Sequence, residues 1–82
     1  MSKLAYGVSF LEGQTVTGLA KKLFVKDENT VLTISENHAP LIATLTHGFV
    51  EVFNLSGEPA KYVFQQAFLN CHDNAVTITV IQ

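Results

Sequence analysis

Turn-forming clusters recur at fairly even spacing along the whole chain: Glu12-Gly13, Asp27-Glu28-Asn29, Ser35-Glu36-Asn37, His47-Gly48, Asn54-Leu55-Ser56-Gly57 and His72-Asp73-Asn74. Between them lie short segments rich in Val, Ile, Thr and Phe, residues that suit a pleated, half-buried surface. Short segments between regular turns leave an all-β sandwich or barrel as the expected architecture. No low-complexity tract or shift of composition divides the chain, so residues 1–82 are read as one domain.

Alternation assigns the faces of several segments. In "LAYGVSF", Leu4, Tyr6, Val8 and Phe10 share one side, while Ala5, Gly7 and Ser9 take the other. In "VTITVI", Val76, Ile78 and Val80 oppose Thr77 and Thr79. "FVEVF" is apolar on both sides, with Phe49 and Phe53 opposing Val50 and Val52. Such a strand is central or is covered by a partner.

One segment stays open on these grounds. In "PAKYVFQQAFLNC", Ala60, Val63, Phe64, Ala67, Phe68 and Cys71 follow a helical spacing, and Pro59 suits a helix start. The density of aromatic and β-branched residues argues for strands instead.

The chain is 48% hydrophobic and only 15% charged, against roughly 25% charged for an average soluble domain. A small domain has proportionally more surface to cover, so this surplus implies apolar surface meant for a partner. The five basic residues are all lysine and the net charge is −2. Without arginine forks or a basic field, nucleic-acid binding is excluded as an expectation. Cys71 is the single cysteine, expected to act as a small buried hydrophobe in a reducing compartment. No apolar run approaches the ~20 residues of a membrane span, and the start "MSKLAYGVSF" does not read as a signal peptide. The expected location is cytosolic or peripheral to a membrane.

The chain offers no constellation for catalysis. His38, His47 and His72 are read in or beside turns with no close pair, and nothing has zinc-ligand spacing, so no metal and no cofactor is expected. Ser9, Ser35 and Ser56 stand outside any Gly-x-Ser-x-Gly elbow. Asp27-Glu28 reads as a solvated acidic turn. His38 reads first as a turn residue before a strand, because Pro40 holds Ala39 extended and suits a strand start.

The stretch "TVLTISENHAPLIATLTHGFVEVF" changes that reading. It resembles the epsilon subunit of F-type ATP synthases (the delta subunit of the mitochondrial enzyme), whose motif runs Gly-x-Ile-Gly-Ile-Leu-Pro-x-His-Ala-Pro-Leu before a strand, a glycine and another strand. His38, Ala39, Pro40 and Leu41 match residue for residue, and Gly48 falls at the expected distance. The opening "VSFLEGQTVTGLAKKLFV" is similar to that family's first hairpin. The closing "AFLNCHDNAVTITV" keeps Phe68, Leu69, Asn74, Val76 and Thr77 in place. The departures are Thr30 and Thr33 for glycines, Ser35-Glu36 for Leu-Pro, and Gln66-Ala67 for a Gly-Gly pair.

The resemblance implies a flattened β-sandwich of about ten short strands, and resolves the open segment into two strands around Gln65 to Ala67. It implies a non-catalytic rotor subunit of the central stalk, tying the gamma subunit to the c-ring during proton- or sodium-driven ATP synthesis. His38, Ala39, Pro40, Leu41 and Ala43 are then expected at the gamma interface, and the loop of Thr30, Val31 and Thr33 near the c-ring. The family's C-terminal helical hairpin, inhibitory in many bacteria, has no counterpart before Gln82. The expected place is the cytoplasmic face of the membrane, peripheral, as in a bacterial-type F1 sector. The competing expectation is a free-standing β-sandwich that binds a peptide or small ligand.

Overall fold

The computed structural model describes residues 3–82. Its six strands are β1 (Leu4–Phe10), β2 (Thr15–Lys26), β3 (Val31–Ser35), β4 (Leu41–Asn54), β5 (Ala60–His72) and β6 (Ala75–Ile81). No helix occurs among the described residues. The sheet order is β1-β6-β5-β4-β2-β3, and β1 also pairs with β2, which closes the sheet on itself. All pairings are antiparallel except β1 with β6.

Six strands, rather than about ten, arise because the three long ones serve both layers of the closed sheet. Each reverses its inward parity once. In β2 the inward residues shift from Ala20 to Leu23 and Val25, across a bulge at Lys21. In β4 they shift from Leu45 to Val50 and Val52, next to His47, whose φ is 49°. In β5 they shift from Phe64 to Ala67, Leu69 and Cys71. The β4–β5 register is unchanged on both sides of the bend, from Thr46↔Gln66 to Gly48↔Phe64, so the two strands bend together.

One layer thus holds β1, β6, the first half of β2, the second half of β5 and the first half of β4. The other holds β3 with the second half of β2, the second half of β4 and the first half of β5. The segment 60–72 is one continuous strand, not two. Its helix-like spacing is the signature of the parity reversal, which puts the inward Phe64 and Ala67 three apart. His47-Gly48 is likewise a bend inside β4 and not a turn.

The core lies between the layers. Leu4, Val8, Leu23, Val25, Ile34, Leu45, Val50, Val52, Leu69 and Ile78 are all at most 1% exposed. Phe10 and Val80 continue the inward rows read from the sequence, and Cys71 is buried among them as expected, with burial raising its thiol pKa. The remaining turns match the sequence reading. Asp73 and Asn74 both take positive φ in the two-residue hairpin between β5 and β6, the backbone twist such hairpins favour.

Candidate partner-binding surfaces

A closed, two-layered sheet has two outer faces, and the side chains on them differ in kind. On the five-stranded layer the outward positions include Ile42 and Thr44 of β4, Phe68, Asn70 and His72 of β5, Ala75, Thr77 and Thr79 of β6, then Ala5, Gly7 and Ser9 of β1, and Thr15, Thr17 and Leu19 of β2, with Lys21 exposed at the bulge beyond. Registers place them in continuous rows, as in Thr44↔Phe68↔Thr79↔Ser9↔Thr15. The central rows carry no formal charge, and the ionisable groups, His72 beside Asp73 and Lys21, stand at the end of the face. Ile42 is 82% exposed and Phe68 44%.

The four-stranded layer turns outward Lys22, Phe24 and Lys26 of β2, Phe49, Glu51 and Phe53 of β4, Lys61 and Val63 of β5, and Val31 and Thr33 of β3. The Lys61 ammonium lies 4.1 Å from the centre of the Phe49 ring, and that of Lys22 lies 4.9 Å from the Phe53 ring. Phe24 packs on Phe49 with ring centres 6.0 Å apart. The second apolar side of "FVEVF" is therefore a lysine-capped aromatic surface on a strand flanked on both edges by β2 and β5.

The motif residues divide between corner and core. His38, Ala39 and Pro40 form the connection between β3 and β4, with the His38 amide donating to the Ser35 carbonyl at 3.2 Å. Nδ1 of His38 is 2.7 Å from the Ala39 carbonyl oxygen, which places the donating N–H on Nδ1. The corner is stitched to the β5–β6 turn, where the Asn37 amide donates to Oδ1 of Asn74. It therefore borders the outer face of the five-stranded layer. Leu41 and Ala43, in contrast, pack inward against the core. The outward residues of this strand half are Ile42 and Thr44.

The second residue set is also divided. Only Thr30 lies in the β2–β3 connection, whereas Val31 and Thr33 belong to β3 and point out from the lysine-bearing layer. Thr30 and His38 flank opposite ends of β3, which at ~3.3 Å per residue separates the two sets by roughly 15 Å.

The β2–β3 connection is fixed by a residue that composition did not single out. Asp27 is 8% exposed, not solvated. Its Oδ1 accepts the amides of Asn29 at 2.9 Å and Thr30 at 2.7 Å, and its Oδ2 accepts the Thr46 amide at 2.9 Å. The Thr46 amide above all, with those of Asn29 and Thr30, holds the carboxyl below its usual pKa against the opposing effect of burial. A side chain that accepts two amides just ahead of it reads as an Asx turn; the third bond, to Thr46, is legible only in three dimensions.

Among the described residues no group of three His, Cys, Asp or Glu is placed to hold a metal ion. His47 is in mid-β4, His38 is in the β3–β4 connection, and His72 pairs with Asp73 at 3.1 Å on the surface. Two open depressions of about 280 and 360 Å³ indent the surface, and neither brings these histidines together.

The beta-sandwich domain of the ATP synthase delta/epsilon chain matches residues 7–82. The chain belongs to that family. No curated protein sequence matches it. Among solved structures, the delta/epsilon fold is shared with a chain of the Tetrahymena thermophila mitochondrial ATP synthase, from its central stalk and c-ring. The TM-score is 0.79 at 15% identity, over 98% of this chain and 64% of that one. The present chain thus spans somewhat under two thirds of the solved chain that it resembles. The delta/epsilon beta-sandwich has no helix among its described residues, and its two faces are chemically distinct.

Proposed function

We propose that this delta/epsilon domain is a non-catalytic rotor subunit of an F-type ATP synthase, joining the gamma subunit to the c-ring in the central stalk. Ion flow turns the ring, and the domain carries the torque to the shaft without making or breaking a bond. The observation that carries the reading is the outer face of the five-stranded layer, whose central rows are uncharged. A coupling element under torque needs a broad permanent contact, and permanent interfaces resemble a core cut in half. Threonine, small residues, Ile42 and Phe68 supply such a surface without the desolvation cost of buried charge. Family membership and the central-stalk origin of the similar solved chain support the same conclusion.

In this reading the gamma contact comprises the corner His38, Ala39 and Pro40 together with Ile42, Thr44 and Phe68. Leu41 and Ala43 support it from beneath. Thr30 and the adjacent Val31 and Thr33 approach the c-ring from the far end of β3. No cofactor enters the mechanism. The chain is peripheral to the membrane through its complex, on the cytoplasmic face of a bacterial-type enzyme, where an unpaired Cys71 is at home.

The test is affinity capture of the tagged chain from its own cell's membranes, followed by mass spectrometry. Recovery of gamma and c subunits is expected, and its loss in Ile42→Asp is expected with the fold intact by circular dichroism. A capture free of ATP synthase components would overturn the rotor reading and return the chain to the class of free-standing binding modules.

A further inference from the structure

The charges of this chain are sorted by position. Six carboxylates, those of Glu12, Asp27, Glu28, Glu36, Glu58 and Asp73, sit in connections between strands, and only Glu51 sits on a strand. Lys22, Lys26 and Lys61 all project from the four-stranded layer, with Glu51 as their single opposing charge on that face. The acidic connections bound the same face at both strand ends. Glu28 stands beyond Lys26, next to the buried Asp27, while Glu36 follows β3 and Glu58 precedes β5. The face is therefore a basic band with an acidic rim.

Apolar surface runs along the band. Val31 and Val63 are 66% and 63% exposed at its two edges. The register Val31↔Lys26↔Phe49↔Val63 sets them in one row that crosses all four strands. Three inter-strand steps at ~4.8 Å make that row about 14 Å long, or two to three turns of a helix. Both mapped cations, Lys22 and Lys61, already lie over phenylalanine rings, so each ammonium is presented beside an apolar contact.

We propose that this band binds an acidic amphipathic helix of a protein partner, laid across the strands, with its apolar ridge on Val31, Phe49 and Val63 and carboxylates facing Lys26 and Lys61. The charge pattern selects a narrow ligand over a planar one. An anionic lipid surface would meet the acidic connections at both ends of the strands, with only three lysines at about 1 kcal/mol each to attract it. A helix about 10 Å wide covers the neighbouring Lys26 and Lys61 rows together, inward of the Glu28 turn and well short of Glu36 and Glu58. The site is opposite to the outer face of the five-stranded layer and stands or falls independently of the rotor reading.

The experiment is a titration of the isotope-labelled chain with a synthetic helical peptide bearing glutamates on either side of a leucine ridge, read by amide chemical shifts. Saturable shifts are expected at Lys26, Val31, Phe49, Lys61 and Val63. At least a tenfold weaker affinity is expected for the Lys26→Gln, Lys61→Gln double variant, and a similar loss for the same peptide with glutamine in place of glutamate. Equal binding of the two peptides, shifts centred on Ile42 and Phe68, or no shift at all would overturn the proposal. So would binding to phosphatidylglycerol vesicles by a chain that ignores the peptide.

Discussion

The α-carbon of Gly48 in β4 rests against the backbone where β2 ends, so that a β-carbon built there would overlap the Lys26 carbonyl and come within 2.6 Å of the Asp27 α-carbon. The obstacle is main chain, which cannot swing aside as a side chain can. The glycine of the motif region is therefore required by the crossing of two strands, next to the His47 bend that moves β4 between layers. Gly48→Ala is expected to cost more than about 3 kcal/mol in stability. Gly57, with φ 90° and open space around it, supplies the comparison: Gly57→Ala costs about 1 kcal/mol from backbone conformation alone. Urea unfolding of the two variants measures the difference, and equal midpoints would refute the steric argument.

Asp27 links stability to pH. Its folded pKa is lowered, so the stability it contributes is fully present above the unfolded carboxylate value of about 3.9 and is lost as pH falls through the lower folded value. Thermal unfolding of the Asp27→Asn variant should start below wild type at pH 7, because the uncharged amide is a weaker acceptor for the amides of Thr46, Asn29 and Thr30. The gap between the two proteins should narrow as the pH is taken well below 4. A gap that stays constant with pH would mean that the ionised form contributes nothing special.

Adjacent residues of the motif strand should behave oppositely. Leu41 packs against the core and Ile42 stands 82% exposed. Leu41→Ala is expected to lower stability by about 1–3 kcal/mol, with Ile42→Ala within about 0.5 kcal/mol of wild type. Binding to gamma should show the reverse order, with Ile42→Ala the weaker binder. If Leu41→Ala loses gamma affinity while keeping wild-type stability, the assignment of faces is wrong.

Tyr6 links β1 to the end of β4, both of which flank β2. Its hydroxyl donates to Oδ1 of Asn54 at 2.7 Å, and Asn54 in turn donates to the Glu58 carbonyl at 2.9 Å. Gly18 leaves room for the ring, since a β-carbon there would come within 2.9 Å of the Tyr6 hydroxyl oxygen. Tyr6→Phe should cost about 0.5–1.5 kcal/mol, and Gly18→Val should cost more by displacing the ring. Calorimetric unfolding of both variants tests the ranking.

Much of this was legible in the residues. The alternation of Leu4, Tyr6, Val8 and Phe10, and of Val76, Ile78 and Val80, follows from a period of two and needs no neighbour to specify it. The Asp73-Asn74 hairpin and the His38-Ala39-Pro40 corner follow from local backbone preference. The misplacements share one cause. His47, Gln65 and Lys21 mark places where a strand changes layer and its inward parity reverses, which turned His47-Gly48 into an apparent turn and gave 60–71 an apparent helical period. The expectation of Leu41 and Ala43 at a partner contact rests on the family resemblance and not on strand parity; both pack against the core, and Ile42 and Thr44 are the outward neighbours.

By itself, the sequence determined the all-β class, the hairpin positions and the motif that marks the delta/epsilon family, because each depends on residues close together in the chain. Only the tertiary structure decided that one outer face has uncharged central rows while the other gathers Lys22, Lys26 and Lys61, two of them over phenylalanine rings. Those faces are assembled from strands far apart in sequence, and their composition depends on bends set by contacts such as Gly48 against Lys26 and Asp27 with Thr46. Local preference can choose a strand, but long-range packing chooses which way each side chain looks.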